Sequence, residues 1–244
     1  DSVETGSFTL EQALRLQAFA DHAGSAIRNA RLYQDSQTER RQADRLLRAI
    51  LPDKIADELQ SNGRVRARRH EDVAVLFADI VGFTAYCDTH EPEEVLEALT
   101  RITERFEEIS EHHGLEKIKT IGDSFMAATG LLSPMLNPDL QCVKAGLDMV
   151  AACRELTPMW RVRLGVHSGD LIAGVLGSKK FLFDIWGDTV NVASRVESNG
   201  VPDAVAVSRT TWNRIAHACR GQSRGMIEVK GKGEMEMFLV EGLQ

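Results

Sequence analysis

Cysteine is scarce in this 244-residue chain, and the four present (Cys87, Cys142, Cys153 and Cys219) include no CxxC pair. Thiols scattered in this way argue against a zinc site and fit reduced cysteines in a cytoplasmic setting. Positive charge is also in short supply. The 29 Lys and Arg stand against 36 Asp and Glu, a formal net charge of −7. A protein that acts on nucleic acid needs a basic face, so no nucleic-acid partner is expected. No apolar run is long enough to span a bilayer, and there is no secretory signal. The loop GxxxxGK[ST] is missing too, which argues against a P-loop NTPase. What is present is ordinary: 43% hydrophobic and 27% charged residues, enough for one sizeable core plus an appendage, or two small domains. The first residue is Asp1 rather than Met, as expected of a fragment with further domains upstream.

Residues from Thr9 to about Ile50 read as nearly unbroken helix, rich in Ala, Leu, Arg, Gln and Glu and interrupted only by Gly24. An apolar stripe through Leu14, Phe19, Ala23 and Ile27 fades into an all-polar stretch from Tyr33 to Asp44, where heptad evidence is weak. Leu46–Leu59, around Pro52, is apolar enough to pack against a partner. Ser61–His70 is polar and basic and reads as a loop. The pattern then changes. Val73–Ala78 is a continuous apolar run, as expected of a strand buried on both faces. A helix opening at Pro92 carries Val95, Leu99, Ile102, Phe106 and Ile109 and stops at Gly114. Lys117–Ile121, the Gly122–Asp123 turn and Phe125–Ala128 form a hairpin. A second helix runs through Leu140, Val143, Leu147 and Val150, and Val162, Leu164 and Val166 alternate in the next strand. This order predicts an α/β (α+β) fold with a ferredoxin-like split βαβ core, further elaborations and a long amino-terminal helix.

Asp79 ends the apolar run in FADIVGFT, where a carboxylate is rarely core because burial demands a partner. Gly82 lets the backbone turn closely there. Asp123 stands at the tip of the hairpin, and in a split βαβ sheet that hairpin neighbours the first strand. Alone it would be a turn aspartate. Together the two carboxylates can converge on a hard cation such as Mg²⁺ or Mn²⁺. Asn191 and Arg195, four residues apart in NVASR, share one helix face and can donate to ribose and phosphate oxygens. In VKGKGE, Lys230 and Lys232 flank Gly231; by themselves they make a basic hairpin turn.

FADIVGFT, KIKTIGDSFMAATG, LGVHSGDLIAGVLG, FDIWGDTVNVASR and VKGKGE together resemble the class III nucleotidyl cyclase catalytic domain, in that family's order, over about residues 71–240. The resemblance implies that Asp79 and Asp123 bind two metal ions per site, Mg²⁺ or Mn²⁺, with the backbone of Ile80 as a further ligand. It implies that Gly82, Phe83 and Thr84 cradle the terminal phosphates and that Lys230 contacts them. Asn191 and Arg195 match the pair that positions ribose and stabilises charge at the α-phosphate. Lys119 and Asp184 match the purine-selecting residues, and their chemistry agrees with adenine. Lysine only donates, which suits N1, and a carboxylate accepts from the 6-amino group; guanine mismatches both. Guanylyl cyclases usually carry an acidic residue in place of Lys119. Lys117, two residues away, is expected on the same strand face and could exchange roles with it.

The implied protein is an adenylyl cyclase that converts ATP to cyclic AMP and pyrophosphate at a site shared across a homodimer. The amino-terminal FTLEQALRLQAFADHAGSAIRNARLY resembles the closing helix of a GAF sensor. The expected organisation is thus sensor end and linker helix, with a coiled coil, over residues 1–47; a connector over 48–70; and the catalytic domain over 71–244. Dimer contacts are expected through the catalytic domain and the linker helix. A guanylyl cyclase is the nearest alternative. A catalytically inactive nucleotide-binding module would usually have lost a metal or transition-state residue, and none is lost. A diguanylate cyclase is disfavoured because no GGDEF-like hairpin is present.

Overall fold

The structure is a computed structural model that describes residues 9–177, 179–229 and 233–244. It divides into two compact units, residues 1–56 and 57–244.

The first unit is dominated by one helix, α1 (Leu10–Arg48). A capping box starts it: the Thr9 hydroxyl accepts from the Gln12 N–H, and the Gln12 side chain accepts from the Thr9 N–H at 2.9 Å. Side-chain pairs one turn apart, Glu11 with Arg15 at 2.5 Å and Asp44 with Arg48 at 3.1 Å, line its surface. None of its residues is buried. Pro52 separates it from α2 (Asp53–Asn62), as expected where a missing N–H and a fixed φ interrupt a helix. No helix among the described residues is long and apolar enough to cross a membrane.

In the second unit, β1 (Arg68–Ile80) begins earlier than the apolar run alone predicts. The polar 61–70 segment is not simply a loop: α2 continues through Asn62, and Glu58 binds the Arg66 N–H at 3.1 Å and pairs with Arg68 at 2.8 Å. Those contacts order basic residues that, read locally, look solvated. Val73–Ala78 is buried on both faces, as its unbroken apolar character requires. A short helix α3 (Phe83–Cys87) follows, then α4 (Pro92–His113), capped by Glu91 and ended by Gly114 at φ 68°. The hairpin is β2 (Glu116–Ile121) and β3 (Ser124–Thr129), turning on Gly122 at φ 63°. Helix α5 (Pro138–Glu155) and the long strand β4 (Val162–Leu176) complete the predicted core. Their sheet order, β2-β3-β1-β4 with every neighbour antiparallel, is the split βαβ arrangement.

Beyond it come β5 (Leu182–Trp186), α6 (Asp188–Ser198), β6 (Ala204–Ser208), α7 (Arg209–Ile215), β7 (Cys219–Val229) and β8 (Gly233–Leu243). Strands β5 and β6 both lie along the edge of β4 away from β1, β5 beside its far half and β6 beside its near half, and β8 and β7 extend the sheet beyond β6. The main core lies under α4, α5 and α7, with Phe106, Met149, Leu164, Val205 and Ile215 in it. Helix α6 belongs to a second apolar cluster, Val192 and Val196 with Ala206 and Met237. Val205 and Ala206 alternate along β6, so α6 lies on the sheet face opposite α5. Gly165 makes that seat possible, since a Cβ there would meet the Glu197 backbone N at 2.1 Å.

Candidate active site

Asp79 sits where β1 leaves the sheet, directly opposite Arg163 on β4. The Arg163 guanidinium donates to its carboxylate at 2.7 Å. Asp123 occupies the β2–β3 turn beside it. Burial, helped by the Asp79 charge, raises the Asp123 pKa against the opposing pull of its own backbone N–H, of Arg163 and of the Ile80 N–H. Two carboxylates therefore converge across neighbouring turns, as expected of the hairpin in this sheet.

A third acid belongs to the cluster. Glu197 on α6 is 6% exposed, and its Oε1 lies 3.4 Å from Arg163 Nε. Burial, and then Asp79, push its carboxyl up to about 7, against the opposing pull of Arg163. The sequence reading missed both Arg163 and Glu197. A signal for Arg163 existed: the alternation of Val162, Leu164 and Val166 leaves it on the opposite strand face. Glu197 carries no such mark.

This shift has a measurable consequence. The folded state holds the Glu197 proton more tightly than the unfolded chain, whose value is near 4.5. The resulting stabilisation is complete below about pH 4.5 and disappears as pH rises through about 7, a change of about 3 kcal/mol. Glu197→Gln is expected to remove that component, read as a flatter dependence of Tm on pH between 5 and 8 in metal-free buffer. An unchanged slope would remove Glu197 as its source.

The donor set fits a hard cation that keeps water or phosphate ligands. Among the described residues no group of three or more His, Cys, Asp and Glu could hold a metal. Two carboxylates leave most coordination positions open, in keeping with Mg²⁺. Gly82 follows at φ 83°, a conformation that disfavours a side chain. The Phe83 ring is buried and lies 6.0 Å from Trp160, so only the backbone of Phe83 is free for a ligand. Thr84 lies in the first turn of α3.

Lys119 and Asp184 come together at the β2–β5 approach, with Nζ to Oδ2 at 2.6 Å. Asp184 is buried, and its other oxygen accepts from the Ile185 N–H at 2.9 Å. Lys117 does not share this setting, contrary to expectation. It pairs with Glu107 of α4 and lies 5.8 Å from the centre of the Phe125 ring. A register shift between Lys117 and Lys119 breaks the two-residue alternation on which the expectation rested.

Asn191 and Arg195 are both exposed, while Val192, Val196 and Glu197 of the same helix are buried. Two residues along a helix rotate by about 200°, so Arg195 points away from Glu197 and hence from the chain's own carboxylates. Lys230 lies outside the described residues. A cavity of about 570 Å³ lies elsewhere, against Asp72, Asp139 and Arg214, and none of the described candidate residues lines it.

The description "Adenylate and Guanylate cyclase catalytic domain" belongs to the family whose model matches residues 65–242. The chain is a member of that family. Cyclases of both specificities resemble this domain. The adenylate cyclase of Mycobacterium tuberculosis is 36% identical over 212 residues, covering 84% of this chain and 48% of that protein. Human guanylate cyclase soluble subunit beta-2 is 34% identical, covering 84% of this chain and 34% of its own length. The chain thus spans about half or less of the length of these relatives. Among solved structures, the guanylate cyclase domain of RhGC from Catenaria anguillulae, in complex with GTP, has a TM-score of 0.70 at 29% identity, covering 72% of this chain and 100% of that one. A rhodopsin-guanylyl cyclase core with converted specificity, in complex with ATPαS, scores 0.70 at 30% identity, covering 72% of this chain and 98% of that one. Class III cyclases use divalent metal ions, in accord with the paired carboxylates.

Proposed function

We propose that the cyclase domain is an adenylyl cyclase that forms 3′,5′-cyclic AMP and pyrophosphate from ATP. The Lys119–Asp184 pair carries the choice of substrate. Its ammonium can donate to adenine N1 while its carboxylate accepts from the 6-amino group, and both contacts mismatch guanine.

The ribose 3′-oxygen attacks the α-phosphorus in line, the bond to the bridging oxygen breaks, and pyrophosphate leaves. Asp79, Asp123 and the Ile80 carbonyl would hold two Mg²⁺ or Mn²⁺ ions, which lower the pKa of the 3′-hydroxyl and neutralise the triphosphate. Backbone groups from Gly82 to Thr84 and the Lys230 ammonium would bind terminal phosphates. Asn191 would orient the ribose, and Arg195 would offset charge growing at the α-phosphate.

A homodimer supplies the missing geometry. Asn191 and Arg195 face away from the Asp79 of their own chain, so they serve a nucleotide whose triphosphate lies on a partner. An exposed apolar ribbon on β4 and β5, with Ile172 opposite Trp186 and Leu176 opposite Leu182, suits burial against a second copy. The exposed α1 provides a further surface for a parallel helix pair below an upstream sensor.

Product identification decides the substrate. With Mn²⁺ and either ATP or GTP, the domain is expected to yield cyclic AMP with a kcat/KM at least about a hundredfold above that for cyclic GMP. Equal or reversed values would reject the adenylyl assignment.

A further inference from the structure

We propose that Glu197 is a positioning residue for the chain's own carboxylate pair, acting through Arg163; this rests on the reading that Asp79 and Asp123 hold the metal ions. Arg163 lies between two acids. It donates to Asp79 at 2.7 Å, and its Nε is 3.4 Å from Glu197. Left with Asp79 alone, the guanidinium would neutralise the carboxylate that a cation needs. Glu197 shares that charge and holds the guanidinium to one side of Asp79.

The arrangement is fixed from behind. Asp79 and Arg163 are cross-strand partners, and two residues further along the same face Gly165 receives the backbone of Glu197 with no room for a Cβ. Among the described residues neither Glu197 Oε1 nor Arg163 Nε has a hydrogen-bond partner. The pair is thus held by packing and charge and is not locked by a bidentate bond, so the guanidinium can move when a cation takes Asp79. Helix α6 then has two duties. Its outward face carries Asn191 and Arg195 toward a partner's nucleotide, and its inward face tunes the metal carboxylate of its own chain.

The test needs no turnover. Mn²⁺ binding to the homodimer without nucleotide is followed by electron paramagnetic resonance at pH 8, above the range in which Glu197 takes up a proton. Glu197→Gln is expected to weaken Mn²⁺ binding about tenfold, the usual scale for a residue supporting a metal ligand. Arg163→Gln, which removes the competing cation, is expected to tighten it. In the Arg163→Gln background the Glu197→Gln change is expected to cost less than about twofold, because its effect runs through the guanidinium. The same tenfold loss in both backgrounds, or no loss in either, would overturn the proposal. Should Glu197→Gln fail to fold, weaker binding by Arg163→Gln alone would do the same. Asp79→Ala separates the two levels. If it binds Mn²⁺ as tightly as the unaltered domain, the metal reading fails; if it loses Mn²⁺ while Glu197→Gln does not, only the positioning role fails.

Discussion

Lys119→Glu is expected to lower kcat/KM for ATP at least about a hundredfold and to reduce the ATP-to-GTP preference by roughly a thousandfold. The change replaces the donor facing adenine N1 with an acceptor, leaving two acceptors opposed. It also sets a second carboxylate beside Asp184, which is buried and now bonds Lys119 at 2.6 Å. Like charges at that distance disfavour ionisation of both. For guanine the new carboxylate can accept from the ring N–H and the 2-amino group. Asp184 still meets the 6-oxo group with the wrong polarity, so GTP turnover gains less than ATP turnover loses. Initial rates with each nucleotide give the two ratios. An unchanged preference would show that the base is read elsewhere. Lys117 is not an alternative, because it is engaged by Glu107 on α4.

Much of this site was legible because its signals are local. An acidic residue at the end of the Val73–Ala78 run and another at a Gly-Asp hairpin tip are visible without any tertiary knowledge. The split βαβ order then makes them neighbours. The exposed face of α6 follows from the four-residue spacing of Asn191 and Arg195, and its buried face from Val192 and Val196.

What escaped depends on contacts between distant segments. Arg163 and Asp79 are 84 residues apart and meet only through strand pairing. Glu197 reads as an ordinary helix acid until Gly165 is seen to draw α6 onto β4. The Lys117–Lys119 expectation failed for a different reason: alternation holds only in a regular ladder, and the register shift between them breaks it. The basic 61–70 segment was read as a loop because its order comes from Glu58, which sequence proximity does not link to Arg68.

The outward direction of Asn191 and Arg195, against the inward placement of Glu197 beside Arg163, leads to the central claim that each chain holds two halves of different sites. Asp79→Ala should abolish metal-dependent turnover, and Arg195→Ala should lose at least about a hundredfold by removing charge stabilisation in the transition state. Neither homodimer then retains a complete site. A heterodimer of the two retains one, built from Asp79 of the Arg195→Ala chain and Arg195 of the Asp79→Ala chain. Random exchange makes about half of the dimers mixed, each with one good site of two, so the mixture is expected to recover roughly a quarter of the unaltered rate. The deciding measurement is cyclic AMP formation by the two inactive variants after they are mixed and allowed to exchange subunits. Recovery near that level is the predicted result; a mixture as inactive as its parents, despite proven exchange, would contradict the shared site.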